Sequence, residues 1–250
     1  MFKNSWVVKL VVVGVLVNVG AQGTQATTIV YNADVVPDDP SLQDVFATQV
    51  LSGCSWSVAN GELTMNTVYG QYHGLWFGKL DSWHHVNWEF ADPSGSNSLS
   101  VRTRLAPSSG EWSFYLDDGA YSAGWELFED GVRYGDPNGE FAGVFSTSMS
   151  DLYSIDTQAY HTYSFCLSNG QASYSIDGVP TYSGPALPTM GTQVLAIGDT
   201  SGNSISGYGS MILDQVTIET VPIPEPSTLA LFGIGVFGLL TCVRRRKRAM

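Results

Sequence analysis

Between residues 27 and 220 no ten-residue stretch places its apolar side chains at a helical 3.6-residue period. Short runs alternate apolar and polar residues instead, and each ends at Gly, Asn, Asp or Pro. A period of two suits an extended chain with one buried face. In 98–105 the alternation puts Leu99, Val101, Thr103 and Leu105 on one side. In 160–167 it puts His161, Tyr163, Phe165 and Leu167 on one side, with Thr162, Ser164 and Cys166 on the other. Asn169-Gly170 then reads as a hairpin turn into 172–177, and Asp177-Gly178 as the next, so these strands are antiparallel neighbours. The run 211–220 closes the domain after the polar loop 199–206. Strands of about five residues and turns every ~8 to 12 predict an all-β, antiparallel sandwich rather than a parallel α/β sheet. No internal repeat is present, which argues against a solenoid or propeller.

Both ends of the chain depart from this pattern. Lys3 and Lys9 lead into the apolar run 10–19, and small residues follow at Ala21, Gly23 and Ala26, the order of a secretory signal. Cleavage after Ala26 fits, with Ala21 as the competing site, so 1–26 is expected to be a signal peptide and 27–220 the sandwich domain. In 221–250, Pro222, Pro224 and Pro226 hold the chain extended and keep a helix from starting before about Ser227 or Thr228. Residues 228–243 carry no charge, and Arg244, Arg245, Arg246, Lys247 and Arg248 follow directly. Sixteen helical residues reach ~24 Å against a hydrocarbon core of about 30 Å, so the expected transmembrane helix is short and weakly held. The basic cluster places the C-terminus in the cytoplasm and the domain outside. Gly233, Gly235 and Gly238 lack the four-residue spacing of a membrane helix dimer.

Pro224-Glu225-Pro226, the apolar run and the Arg-rich end, in that order, resemble the PEP-CTERM sorting signal of exported bacterial proteins. The resemblance implies recognition by an exosortase at the inner membrane, removal of the tail and delivery to the cell surface or exopolysaccharide matrix. Charge and hydrophobicity alone fit an unprocessed C-terminal anchor equally well. A second resemblance covers about half the domain. Residues 161–184, 194–198 and 212–218, with 44–58 and Asn60-Gly61-Glu62-Leu63 at the front, resemble strands of concanavalin A-like lectin/glucanase (LamG-like) jelly rolls. It implies fold more than activity.

The formal charge of −12 conceals a sharper split. Residues 27–221 hold four Lys and Arg against 22 Asp and Glu, a net −18 that repels phosphate backbones and makes nucleic acid an unsuitable partner. Neutral polysaccharide, cations and plain solubility are all compatible with it.

For a glycanase of this fold the resemblance implies carboxylates at every second position of one strand, and no two acidic residues stand two apart. Glu126 and Asp130 share a strand face but lie about 13 Å apart, beyond the ~5 to 9.5 Å of a glycosidase pair. Catalytic residues are therefore expected to be absent and the domain not an enzyme, with carboxylates paired across strands left open. Trp76, Trp83, Trp88, Trp112 and Trp125 crowd into fifty residues with several Tyr, beside His84, His85, Asn87 and Glu89. Flat aromatic faces stack on sugar rings, which points to carbohydrate binding, although large aromatics also fill sandwich cores. The acidic turns at Asp117-Asp118-Gly119, Asp130-Gly131, 136–139 and 199–203 could offer oxygens to Ca2+, yet Asp and Asn before Gly commonly just make turns. The four His show no zinc-like grouping.

Cys54 and Cys166 are the two cysteines an oxidising compartment would meet, and an even pair invites a disulfide. The face pattern opposes it: Cys54 goes with Trp56 and Val58, whereas Cys166 lies opposite Tyr163 and Phe165. The leading expectation is an exported, polysaccharide-binding surface or matrix protein without enzymatic activity. A structural matrix protein or adhesin without a sugar site is the alternative, and a glycan hydrolase the third reading.

Overall fold

The computed structural model describes residues 27–42, 45–68, 75–80, 95–138, 149–188, 193–199 and 208–221. The expected signal helix and transmembrane helix fall outside them. In chain order the strands are β1 (Thr27–Tyr31), β2 (Ala47–Val50), β3 (Ser55–Ala59), β4 (Glu62–Thr67), β5 (Leu75–Leu80), β6 (Ser96–Leu105), β7 (Trp112–Asp118) and β8 (Tyr121–Phe128). There follow β9 (Gly131–Tyr134), β10 (His161–Ser168), β11 (Gln171–Ile176), β12 (Val179–Pro185), β13 (Leu187–Pro188), β14 (Gln193–Asp199) and β15 (Gly209–Val221).

All the pairings are antiparallel and form two sheets. The first runs β12-β11-β10-β6-β15-β4-β3, with β1 also on β15; the second runs β13-β8-β7-β14-β5-β2, with β9 on β8. The expected antiparallel sandwich is what forms. The turns expected at Asn169 and Asp177 sit where positive φ is needed, at 51° and 52°, the handedness that matches strand twist in a two-residue hairpin.

The expected inward faces are also present: Leu99, Val101, Thr103 and Leu105 on β6, and Tyr163, Phe165 and Leu167 on β10, are all buried. Strand length departs from the expectation of about five residues, because β6 has ten and β15 thirteen. A bulge lets β15 run that far. The register shifts between Leu213 and Gln215, so the buried series Met211, Leu213 continues as Val216, Ile218, Thr220. The skipped residue, Asp214, turns its carboxylate to Arg102 on β6.

Aromatic side chains bridge the two sheets. Trp125 of β8 meets Tyr163 and Tyr174 of the first sheet edge-on, with centroids 5.8 and 5.3 Å apart, and Phe114 of β7 lies 5.8 Å from Tyr163.

At the start of β15, Gly209 has φ +85°, and a Cβ there would stand 2.8 Å from the Ser109 Cα. The neighbouring hydrogen bonds make this contact tight, since the Ser109 hydroxyl donates to the Ser210 carbonyl at 3.0 Å and accepts from its N–H at 2.9 Å. Gly209→Ala is expected to lose about 1–3 kcal/mol in denaturant unfolding, from a strained φ and a blocked approach together. Wild-type stability in that variant would show that the loop around Ser109 yields.

Candidate functional site

A strand on the outside of a sandwich ordinarily has one dry face, but β7 and nearly all of β8 are buried on both. Trp112, Phe114 and Leu116 of β7 face the core with Ala123, Trp125 and Leu127 of β8. The alternate residues Ser113, Tyr115 and Asp117 stand opposite Glu126, Gly124 and Ser122 on the other side of the sheet. Five polar side chains thus share a face turned away from the core and are still no more than 3% exposed.

Gly124 makes room for the Tyr115 ring, since a Cβ there would meet Tyr115 Cδ2 at 3.0 Å. The Tyr115 hydroxyl donates to Asp117 Oδ2 at 3.2 Å, and Asp117 Oδ1 accepts from the Gly119 N–H at 2.8 Å. Burial first, and the Asp117 charge second, push the Tyr115 phenol well above its ordinary pKa, so it stays a neutral donor. Tyr115, Gly124, Glu126, Gly135, Met149 and Leu187 line a cavity of about 10 Å³, the size of one water. Such a face can orient a hydroxyl or a water by hydrogen bonding.

Of the five Trp singled out in the sequence, the structure describes the side chains of two, Trp112 and Trp125. Trp112 and Trp125 are 0% and 1% exposed, which corrects their reading as sugar platforms: their faces are spent on the core. The Trp125 indole donates to the Ser164 carbonyl at 3.2 Å, as a buried ring N–H should. The backbone of Trp76 pairs with Gly198 in β14 and Gln49 in β2. Trp83, Trp88, His84 and His85 lie outside the described residues. So do Pro224, Glu225, Pro226 and the basic run Arg244, Arg245, Arg246, Lys247 and Arg248.

Cys54 and Cys166 are both free thiols, a correction of the disulfide. Three strands separate β10 from β3, which Cys54 immediately precedes, so at ~4.8 Å per strand they are about 19 Å apart, far beyond disulfide reach. The two thiols also sit on opposite faces, as the alternation requires: Cys54, Trp56 and Val58 pack on the core, while Cys166 points outward to the Ser96 hydroxyl at 3.1 Å.

In the acidic turns at 117–119 and 136–138 the carboxylates accept turn N–H groups. Asp118 Oδ1 accepts from the Ala120 and Tyr121 N–H groups at 2.9 and 2.8 Å, and Asp136 Oδ1 from that of Asn138 at 2.9 Å. Among the described residues no three His, Cys, Asp or Glu side chains group as metal ligands.

The polar face of β7 and β8 was missed, although its signal is in the sequence. Ser113, Tyr115 and Asp117 repeat at every second position against Trp112, Phe114 and Leu116, which marks a strand with one polar and one apolar face; the burial of the polar one comes from the fold.

Residues 222–247 match the model of the PEP-CTERM protein-sorting motif. The chain carries a PEP-CTERM sorting signal. It is thereby marked for export and for exosortase processing at a membrane-anchored C-terminal signal, and the match begins with the residue after β15. No curated protein matches the chain in sequence.

Among solved structures, a Crh5 transglycosylase in complex with NAG is similar at 16% identity and TM-score 0.51, over 77% of this chain and 83% of its own. SCLam, a non-specific endo-β-1,3(4)-glucanase of family GH16, is similar at 12% identity and TM-score 0.52, over 78% and 91%. The laminarinase catalytic domain of Thermotoga maritima is similar at 10% identity and TM-score 0.50, over 78% and 98%. Likeness at these identities establishes a concanavalin A-like jelly roll and no more.

The expectation that the domain is not an enzyme is corrected accordingly, since the fold gives it no ground. The solved structures of this fold named above are a transglycosylase and two glucanases. Searching single strands for alternating carboxylates tests one arrangement only, because β7 and β8 also set residues from different strands side by side.

Proposed function

We propose that the exported domain engages a polysaccharide of the cell surface or matrix through the second sheet, at the face carrying Ser113, Tyr115, Asp117, Ser122 and Glu126. The observation that carries this reading is that polar row. Core packing requires apolar side chains only on the inward face, so five buried polar ones on the other face need another reason. A neutral glucan suits the surroundings better than an acidic polymer, since the domain carries net −18. The β-glucans named for the structural neighbours are the natural first panel.

The cavity as it stands admits only about one water, so a sugar hydroxyl would enter by displacing that water and shifting the Met149 side chain. In affinity electrophoresis with laminarin and mixed-linkage β-glucan, the mature protein is expected to be retarded. Glu126→Gln, close in volume and able to keep one acceptor, is expected to weaken retardation about tenfold, the worth of one charged hydrogen bond. Product analysis of the same incubations distinguishes turnover from retention. Neither retardation nor product on any glucan, or an unaffected Glu126→Gln variant, would refute the site.

A further inference from the structure

One edge of β8 serves two neighbours in turn. Strand β9 pairs with it as far as Tyr134 opposite Trp125, and β13 takes over at Leu187 opposite Ser122. Ala123 and Gly124 lie between the two. At this changeover the Gly135 N–H donates to the Gly124 carbonyl at 3.1 Å, and Gly135 forms a bridge with Met149. The water-sized cavity lies here, in space that two glycines leave open. A Cβ on Gly135 would stand 2.5 Å from Leu187 Cδ1, and one on Gly124 would stand 3.0 Å from Tyr115 Cδ2.

The walls of the cavity differ in chemistry. Met149 and Leu187 offer it apolar surface. The Tyr115 hydroxyl is engaged with Asp117 and the Trp125 indole N–H with the Ser164 carbonyl. Glu126, 3% exposed, supplies carboxylate oxygens, which accept several hydrogen bonds at once. A guest that suits these walls carries one hydroxyl for Glu126 on a short apolar stem for Met149 and Leu187. Room for one water admits such a hydroxyl and stops a pyranose ring at the mouth.

Sugars offer that shape in one place. Ring hydroxyls sit directly on ring carbons, whereas the primary hydroxyl of a hexose stands one methylene farther out. Pentoses lack this arm, and linkage through the primary hydroxyl consumes it. Uronic acids end it in a carboxylate, which Glu126 and a domain of net −18 oppose.

We propose that the pocket takes the hydroxymethyl arm of a neutral hexose polymer whose primary hydroxyls are unlinked. The hydroxyl takes the place of a water beside Glu126, and the methylene lies against Met149 and Leu187. The inference rests on the reading of the β7 and β8 face as a polysaccharide site, and it names what that site selects.

The test is affinity electrophoresis of the mature protein on four linear polymers. Mixed-linkage β-glucan has free arms, pustulan is a β-glucan linked through them, xylan has none, and polygalacturonate carries carboxylates in their place. Retardation on mixed-linkage glucan is expected to be at least about tenfold stronger than on the other three, because a pocket built for a hydroxyl rejects polymers that lack it. Pustulan and xylan are the deciding pair, since they are as neutral as the glucan. Gly135→Ala pushes Leu187 Cδ1 aside into the pocket and should bring the glucan down to their level. Retardation on pustulan, xylan or polygalacturonate equal to that on the glucan overturns the arm; the site itself then stands if Glu126→Gln weakens retardation and falls if it does not. A folded Gly135→Ala variant that holds the glucan as the parent does overturns the pocket as the arm's seat. Retardation on none of the four overturns the site and the inference together.

Discussion

Trp125→Ala is expected to lower the unfolding free energy of the domain by about 3–5 kcal/mol. The indole is 1% exposed and lies between the sheets, edge-on to Tyr163 at 5.8 Å, Tyr174 at 5.3 Å and Tyr134 at 5.9 Å. These rings are held by strands of both sheets, so none can follow a shrinking neighbour inward. The cavity therefore stays open and its cost adds to the lost transfer energy. Urea unfolding followed by the remaining aromatic fluorescence measures the loss directly. Trp125→Phe keeps most of the volume and forfeits the bond to the Ser164 carbonyl, so it should fall well short of the alanine cost. A sugar platform behaves the opposite way. Were Trp125→Ala to unfold within about 1 kcal/mol of the parent and lose polysaccharide retention, the core assignment would be wrong.

The contrast shows where the sequence was readable. Alternation over 98–105 and 160–167 named the inward residues, because a two-residue period has only two phases and a mixed one would bury polar side chains. Turn chemistry was equally plain at Asn169 and Asp177, whose positive φ few other non-glycine residues accept. Aromatic content was not decisive, since Trp suits a core strand and a sugar platform alike and composition carries no information on facing. The run 211–220 is legible as the closing strand, but its inward face is not, because the alternation breaks at Asp214 and resumes in the other phase. The face of β7 and β8 went unread for a similar reason. Ser113, Tyr115 and Asp117 look like the wet side of a half-exposed strand, and only the fold shows them dry. Function suffered most. A search for alternating carboxylates assumes that the partners of a site are close in sequence, and antiparallel pairing removes that requirement: Ser113 and Glu126 are thirteen residues apart in number and adjacent in register.

Asp118 gives the second large effect, and its sign depends on pH. Burial pushes its carboxyl above the ordinary value of 3.8; the Tyr121 and Ala120 N–H groups pull against that, the Asp117 charge adds to it, and the nearby Asn97 amide opposes it. A carboxyl whose folded pKa is raised keeps its proton longer in the native state than in the unfolded chain. The native state therefore binds more protons between the two values, and stability falls as pH rises through that window. The cost is complete once pH exceeds the folded value and absent below the unfolded one. Asp118→Asn keeps an oxygen for both N–H groups and carries no charge. Its stability relative to the parent is expected to rise with pH across the carboxylate range and to level off towards neutrality. Asp118→Ala removes the acceptor that both N–H groups use, at 2.9 and 2.8 Å, and should be about 1–3 kcal/mol less stable than Asp118→Asn at every pH. Thermal melts of the three proteins from pH 3 to 7 separate the terms. The difference between the alanine and asparagine curves isolates the turn, and the difference between the asparagine and parent curves isolates the buried charge. An asparagine variant that loses stability relative to the parent as pH rises would mean that the turn N–H groups and Asn97 favour the carboxylate more than burial opposes it. Asp118 would then be a charged cap inside the sandwich, held ionised by the turn it organises.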